Sequence, residues 1–176
     1  VLTDRLPPLG RRIAALVADA VVTQASLVLV AGGWTVLQRL GGRSPVMDFP
    51  EGWRFAPVVL GGVLGALLPL LRRLAAGERR MAAAVPLLGG ALFLLSHEGA
   101  ALLPPVAWPS LLAGGLALAL LALGTPLPHA LLAGLSLAVP FGAALPEAAL
   151  VQTTVAGIGK LLLTAVPFFL LAAVLM

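Results

Sequence analysis

The stretch that most constrains this chain is Met81–Leu103, MAAAVPLLGGALFLLSHEGAALL. About 20 apolar residues match the ~30 Å hydrocarbon slab of a bilayer at a helical rise of about 1.5 Å per residue. The run therefore predicts a membrane-crossing helix. It carries Ser96-His97-Glu98 near one end. An ionisable side chain inside such a helix costs roughly 2.5–3.5 kcal/mol on insertion scales, so His97 and Glu98 need a partner, a polar cavity or a function.

The rest of the chain agrees with a lipid solvent. Of its 176 residues, 60% are hydrophobic and 10% charged, whereas soluble domains carry about 25% charged residues. A small soluble protein could not hide that much apolar surface. The expected fold is an all-α integral membrane protein, one polytopic domain over residues 1–176. It has about six transmembrane helices near 13–37, 55–71, 81–103, 108–123, 129–145 and 150–176. Spans four and five are short, which leaves a re-entrant hairpin as the alternative to the two crossings expected here. Arg11–Leu40 opens with arginines like a secretory signal, but it contains Asp19 and Gln24 and exceeds a signal core, so it reads as span one. Val1 fits a literally read start codon or a trimmed end equally well.

Orientation follows from the arginines. With a cytoplasmic N-terminus, Arg5, Arg11, Arg12 and the four arginines of RRLAAGERR (Arg72–Arg80) all lie inside. Arg39, Arg43 and Arg54 then lie outside beside Asp48 and Glu51, and Trp34, Trp53 and Trp108 fall near the outer interface, where indoles concentrate. The expected location is the inner cell membrane, multi-pass, with both termini cytoplasmic. The formal charge of +4 sits at span edges, which is a topology signal and not a nucleic-acid stripe. The expected partners are the bilayer and either a second copy or partner membrane helices.

Glu98, Lys160 and His97 form the candidate substrate or ion pathway. By helix rise Glu98 lies roughly 8 Å and Lys160 roughly 15 Å below the outer ends of their spans. A lysine stem reaches several ångströms, so the two could pair inside the bundle, with His97 as a third titratable member. The bland alternative is a structural pair, or two side chains snorkelling outward separately. Asp19 lies about two turns beyond Arg11 and Arg12, and the expected interfacial pair is Asp19 with Arg12. Gln24, Thr23, Ser26, Gln152, Thr153 and Thr154 read as hydrogen-bonding glue between helices. Ala14/Ala18 and the GxxxG pair Gly61/Gly65 read as packing positions. Pro69, Pro86, Pro140 and Pro167 are prolines within spans, suited to cavity-lining backbone.

Other chemistry is poorly supported. His97 and His129 sit roughly 20 Å apart along the membrane normal on this topology, too far for one haem iron. His97 and Glu98 are adjacent on a helix and diverge, which disfavours a metal. The chain has no cysteine, and HExxH, P-loop and G-x-S-x-G patterns are missing. No cofactor and no metal are expected, and a membrane enzyme is left as the minor option.

The segment LGRRIAALVADAVVTQASLVLV resembles the opening of RDD-family membrane proteins, which place an arginine before the first span and an aspartate within it. Here those residues are Arg12 (or Arg11) and Asp19. The resemblance implies a membrane protein with a transport role. The chain departs from that family's pattern in having RRLAAGERR after span two and no later aspartate signature. The leading functional expectation is a bundle that passes or senses a small solute or cation. The runner-up is a non-catalytic membrane subunit or assembly factor of a larger complex.

Overall fold

A computed structural model describes residues 7–39, 50–99, 104–143 and 147–158. Most of the described residues are helical, with no strand among them. In chain order the helices are α1 (Pro8–Arg39), α2 (Ala56–Ala75), α3 (Arg79–Glu98), α4 (Pro109–Ala122), α5 (Leu127–Ala138) and α6 (Glu147–Ile158). Short 3₁₀ turns at Glu51–Phe55 and Val139–Phe141 lead into α2 and follow α5. The protein is an all-α membrane protein, as the composition predicts.

Proline sits in the first turn of α2, α4 and α5, where its missing N–H would have had no partner. Two helices stop by the same device. At the end of α2, Gly77 takes φ +77°, and the N–H groups of Glu78 and Gly77 donate to the carbonyls of Arg73 and Leu74 at 3.0 Å each. At the end of α4, Gly124 takes φ +91°, and Thr125 and Gly124 donate to Leu120 and Leu121 at 3.1 and 2.9 Å. Both are left-handed glycine caps that satisfy the last helical carbonyls. They turn the chain back sharply at one end of the bundle.

Helices α1, α2 and α3 are long and apolar enough to cross a membrane. The α4 and α5 helices have 14 and 12 residues, about 21 and 18 Å at the helical rise. Each is shorter than the ~30 Å hydrocarbon slab. They pack against one another as a hairpin, and Gly134 of α5 brings the two backbones together at Ala113 and Ala117 of α4. The described part of the sixth expected span is Glu147–Ile158; residues 159–176, Lys160 among them, lie outside the described residues.

Helix α1 is the hub. It packs against α2, α3, α5 and α6, and it is the most enclosed of the three long helices. Its residues Val21, Ala25 and Val28 form a core with Leu120, Ala130, Leu132, Ala133 and Leu150. A helix apolar all round suits this central position. By contrast α2 presents Leu60, Leu64, Leu67, Leu68 and Leu71 outward. This stripe at i, i+4, i+7, i+8 and i+11 is what a lipid-facing helix requires.

Glycine sets how closely α1 is approached. A Cβ on Gly62 would lie 2.9 Å from the Ser26 carbonyl oxygen, and one on Gly65 would lie 2.7 Å from the Ser26 hydroxyl. A Cβ on Gly89 of α3 would lie 2.9 Å from the Ala20 carbonyl oxygen. Gly61 faces open space, so Gly62 and Gly65 make the contact in place of the expected Gly61/Gly65 pair. Overpacking of this kind costs about 1–3 kcal/mol. Gly62→Ala is therefore expected to lower unfolding stability in detergent by that amount. Gly61→Ala should leave it unchanged or raise it by up to about 1 kcal/mol through helix propensity. Equal effects of the two substitutions would contradict the packing described.

Candidate functional site

The end of the bundle that carries most of the arginines holds a cavity of about 750 Å³. One stripe of α1 forms its floor, running from Arg11 through Ala15, Ala18 and Asp19 to Val22. These residues recur at the 3.6 period that keeps a helix face in register. The α2 wall descends from Ala76 and Arg72 through Pro69 and Leu68 to Gly65 and Leu64. The third wall is the α4–α5 turn, with Leu123, Gly124, Pro126 and His129. Pro69 lacks an N–H and so removes the helical bond that the Gly65 carbonyl would otherwise accept. Both residues line the cavity.

Arg73 closes the floor to the wall. Its Nε and one terminal nitrogen donate to Asp19 Oδ2 at 2.7 Å each, and its other terminal nitrogen donates to Glu78 Oε2 at 2.7 Å. The Arg73 and Asp19 side chains are only 14% and 19% exposed, so water screens their attraction less than at an open surface. One guanidinium thus ties α1 to the last turn of α2 and to the turn into α3. Asp19 pairs with Arg73 and not with Arg12, which is exposed. The reason is geometric. Arg12 lies seven residues away on the same helix, about two turns and 10 Å along it, whereas the antiparallel α2 delivers Arg73 directly to the carboxylate.

Deeper in the bundle, Gln24 is fully buried and donates through Nε2 to Ser136 Oγ of α5 at 2.8 Å. Ser136 in turn donates to the Ala133 carbonyl at 3.1 Å. Gln24 therefore serves as interhelical glue, as expected. Thr23 and Thr153 do not, because their hydroxyls donate to carbonyls four residues back in their own helices. His129 is half-buried at the cavity, and its Nδ1 has no hydrogen-bond partner among the described residues.

The expected pathway residues are placed elsewhere. His97 and Glu98 form the last turn of α3 at the opposite end of the bundle, and both are exposed. The His97 ring stacks on Phe93 with centroids 5.9 Å apart, and the neighbouring Ser96 hydroxyl donates to the Phe93 carbonyl at 2.7 Å. Lys160 lies outside the described residues, so no pairing with Glu98 is described. No group of His, Cys, Asp or Glu that could hold a metal is found among the described residues. The exposed Trp34, Trp53 and Trp108 share the end that carries Glu98.

Together, the long apolar helices, the outward leucine stripe and the enclosed polar clasp define a multi-pass helical membrane protein. Residues 1–80 match the family model described as "Tripartite ATP-independent periplasmic transporters, DctQ component", which ties the chain to membrane transport. No curated protein and no solved structure matches the chain. The match corrects the RDD resemblance. An arginine before the first span and an aspartate inside it belong here to a DctQ-like segment, and the aspartate's partner is on α2. The matched segment contains the whole Asp19–Arg73–Glu78 clasp.

Double-mutant cycles on unfolding in detergent test the clasp. Exposed ion pairs contribute about 0.2–1 kcal/mol, while breaking fully buried ones costs about 3–5 kcal/mol. Asp19→Ala with Arg73→Ala should give an intermediate coupling of about 1–2 kcal/mol, and Asp19→Ala with Arg12→Ala should be additive within about 0.5 kcal/mol. The reverse ranking would restore the Arg12 pairing.

Proposed function

We propose that this chain is the small, non-catalytic membrane component of a tripartite, ATP-independent transporter, working in a complex with that system's other components. The observation that carries the reading is the DctQ match over residues 1–80. Those residues span α1, α2 and the turn that starts α3. The placement of the polar groups supports it. His97 and Glu98 are exposed at a helix end, away from the cavity, and the buried polar residues Gln24 and Ser136 are bonded to each other. The solute would then cross in another component, and this chain would position it.

The reading is tested by pull-down of the tagged chain, in mild detergent, with the larger membrane component of the same transporter, and by flux in proteoliposomes. The expected outcome is a stoichiometric complex, no flux from this chain alone, and flux when both are present with the solute-binding component. Flux from this chain alone would overturn the proposal, and its loss in Glu98→Gln would return the function to the opposite end.

The arginine-rich end is proposed to face the cytoplasm, supported by the excess of Arg11, Arg12, Arg72, Arg73, Arg79 and Arg80 there and by the tryptophans at the other end. The chain has no cysteine, so single cysteines report cleanly. In intact cells an impermeant maleimide should label Val106→Cys and spare Ala75→Cys. The opposite pattern would invert the orientation.

A further inference from the structure

We propose that the cavity between α1, α2 and the α4–α5 turn is a binding site for one anionic glycerophospholipid. Three observations carry this, and none depends on the transporter reading. The first is charge. Three guanidiniums and two carboxylates line the cavity, and both carboxylates bond to Arg73. Arg11 and Arg72 are left at the mouth with no acidic partner among the described residues. Two cations flanking an opening at the membrane surface suit a phosphodiester, to which guanidinium binds in a bidentate fork.

The second observation is the order of polarity down the wall. Arg72 stands at the mouth, and Leu68 and Leu64 follow one and two turns deeper on the same face, about 12 Å in all at the helical rise. Both leucines are 65% exposed, and Leu123 and Val22 face the cavity with them. A phosphate with acyl chains below it has the same sequence of polar and apolar parts. A free anion would leave the apolar depth unfilled.

The third is access. Among the described residues α1 packs against both α2 and α5, while α2 has little packing with α4 or α5. Among the described residues the cavity is therefore open between them, beside the exposed Leu64 and Leu68 of α2, which gives a lipid a way in from its own leaflet. His129 lines the cavity on the α5 side.

The test is native mass spectrometry of the full chain, with detergent titrated against phosphatidylglycerol, phosphatidylcholine or inorganic phosphate. One phosphatidylglycerol should bind in preference to phosphatidylcholine. At roughly fivefold per basic residue, Arg11→Gln with Arg72→Gln should weaken it about thirtyfold. Arg79→Gln with Arg80→Gln removes two exposed charges from the same end but outside the cavity, and should leave that first lipid bound. Equal binding of the two lipids, or an equal loss in both double variants, would overturn the proposal. So would inorganic phosphate binding with the same dependence on Arg11 and Arg72 while phosphatidylglycerol fails to bind. Should the Arg11/Arg72 double variant unfold, Leu68→Trp, which obstructs the acyl path from an exposed position, is expected to weaken phosphatidylglycerol binding; unchanged binding would count against the site.

Discussion

In hydrocarbon, two helices gain nothing from hiding leucine from a solvent as apolar as leucine, so association depends on close contact and on polar bonds. Helix α1 meets this constraint from several sides. Gly62 on α2 and Gly89 on α3 let backbones approach within the reach of a single Cβ, and Gly65 makes room for the Ser26 side chain. The gain is dispersion, small for each atom pair and summed over the length of a helix. It disappears when the approach is blocked by even one methyl group, which is why α1 is lined by the small residues of its neighbours while the large ones face outward.

Polar bonds then fix the register that dispersion alone would leave free to slide. Arg73 sets it at the charged end by gripping Asp19 and Glu78 together. Gln24 sets it near mid-depth by reaching Ser136 across 112 residues of sequence. The two points fall on different neighbours of α1, one on α2 and one on α5. A slide of either helix by a turn would strand a buried amide or a partly buried charge, at a cost that dispersion between apolar faces could not offset.

The medium and the helical class were legible because lipid imposes them on composition, and the three long spans were legible because 20 apolar residues admit few other structures. The pairing of Asp19 was not. A sequence displays neighbours along the chain, so Arg11 and Arg12 stood out, while Arg73 lies 54 residues away and meets Asp19 only through antiparallel packing of α2. The choice between Gly61 and Gly62 was hidden for a similar reason. Adjacent glycines point about 100° apart on a helix, and which one faces a neighbour depends on a rotation that the spacing GxxxG does not specify. In-span prolines fit flexible or cavity-lining backbone as well as ordinary membrane helix, and the sequence does not say that Pro69 is the one beside the cavity. The place of His129 at that cavity is not visible in the sequence, because it follows from the glycine cap at Gly124, which brings α5 back beside α1. Glu98 drew attention because a charge in an apolar run is costly, but a helix that ends at Glu98 spends little of that cost.

The family match and the cavity divide the chain differently, and the difference bears on what each part does. Residues 1–80 supply Arg11, Asp19, Arg72, Arg73 and Glu78, so the whole charged face of the cavity lies inside the DctQ-like segment. The hairpin of α4 and α5 lies outside it and adds Leu123, Gly124, Pro126 and His129. Without the hairpin the α1–α2 pair would present its clasp to open lipid and headgroups along one side. With it, the same groups line a half-open cavity shared with Leu123, Gly124, Pro126 and His129. The helices of the hairpin have only 14 and 12 residues, and its turn lines the same cavity as Asp19. Shortness is therefore no defect in this element: a hairpin that extended further would fill the space between Arg11, Arg72 and His129 that it now encloses.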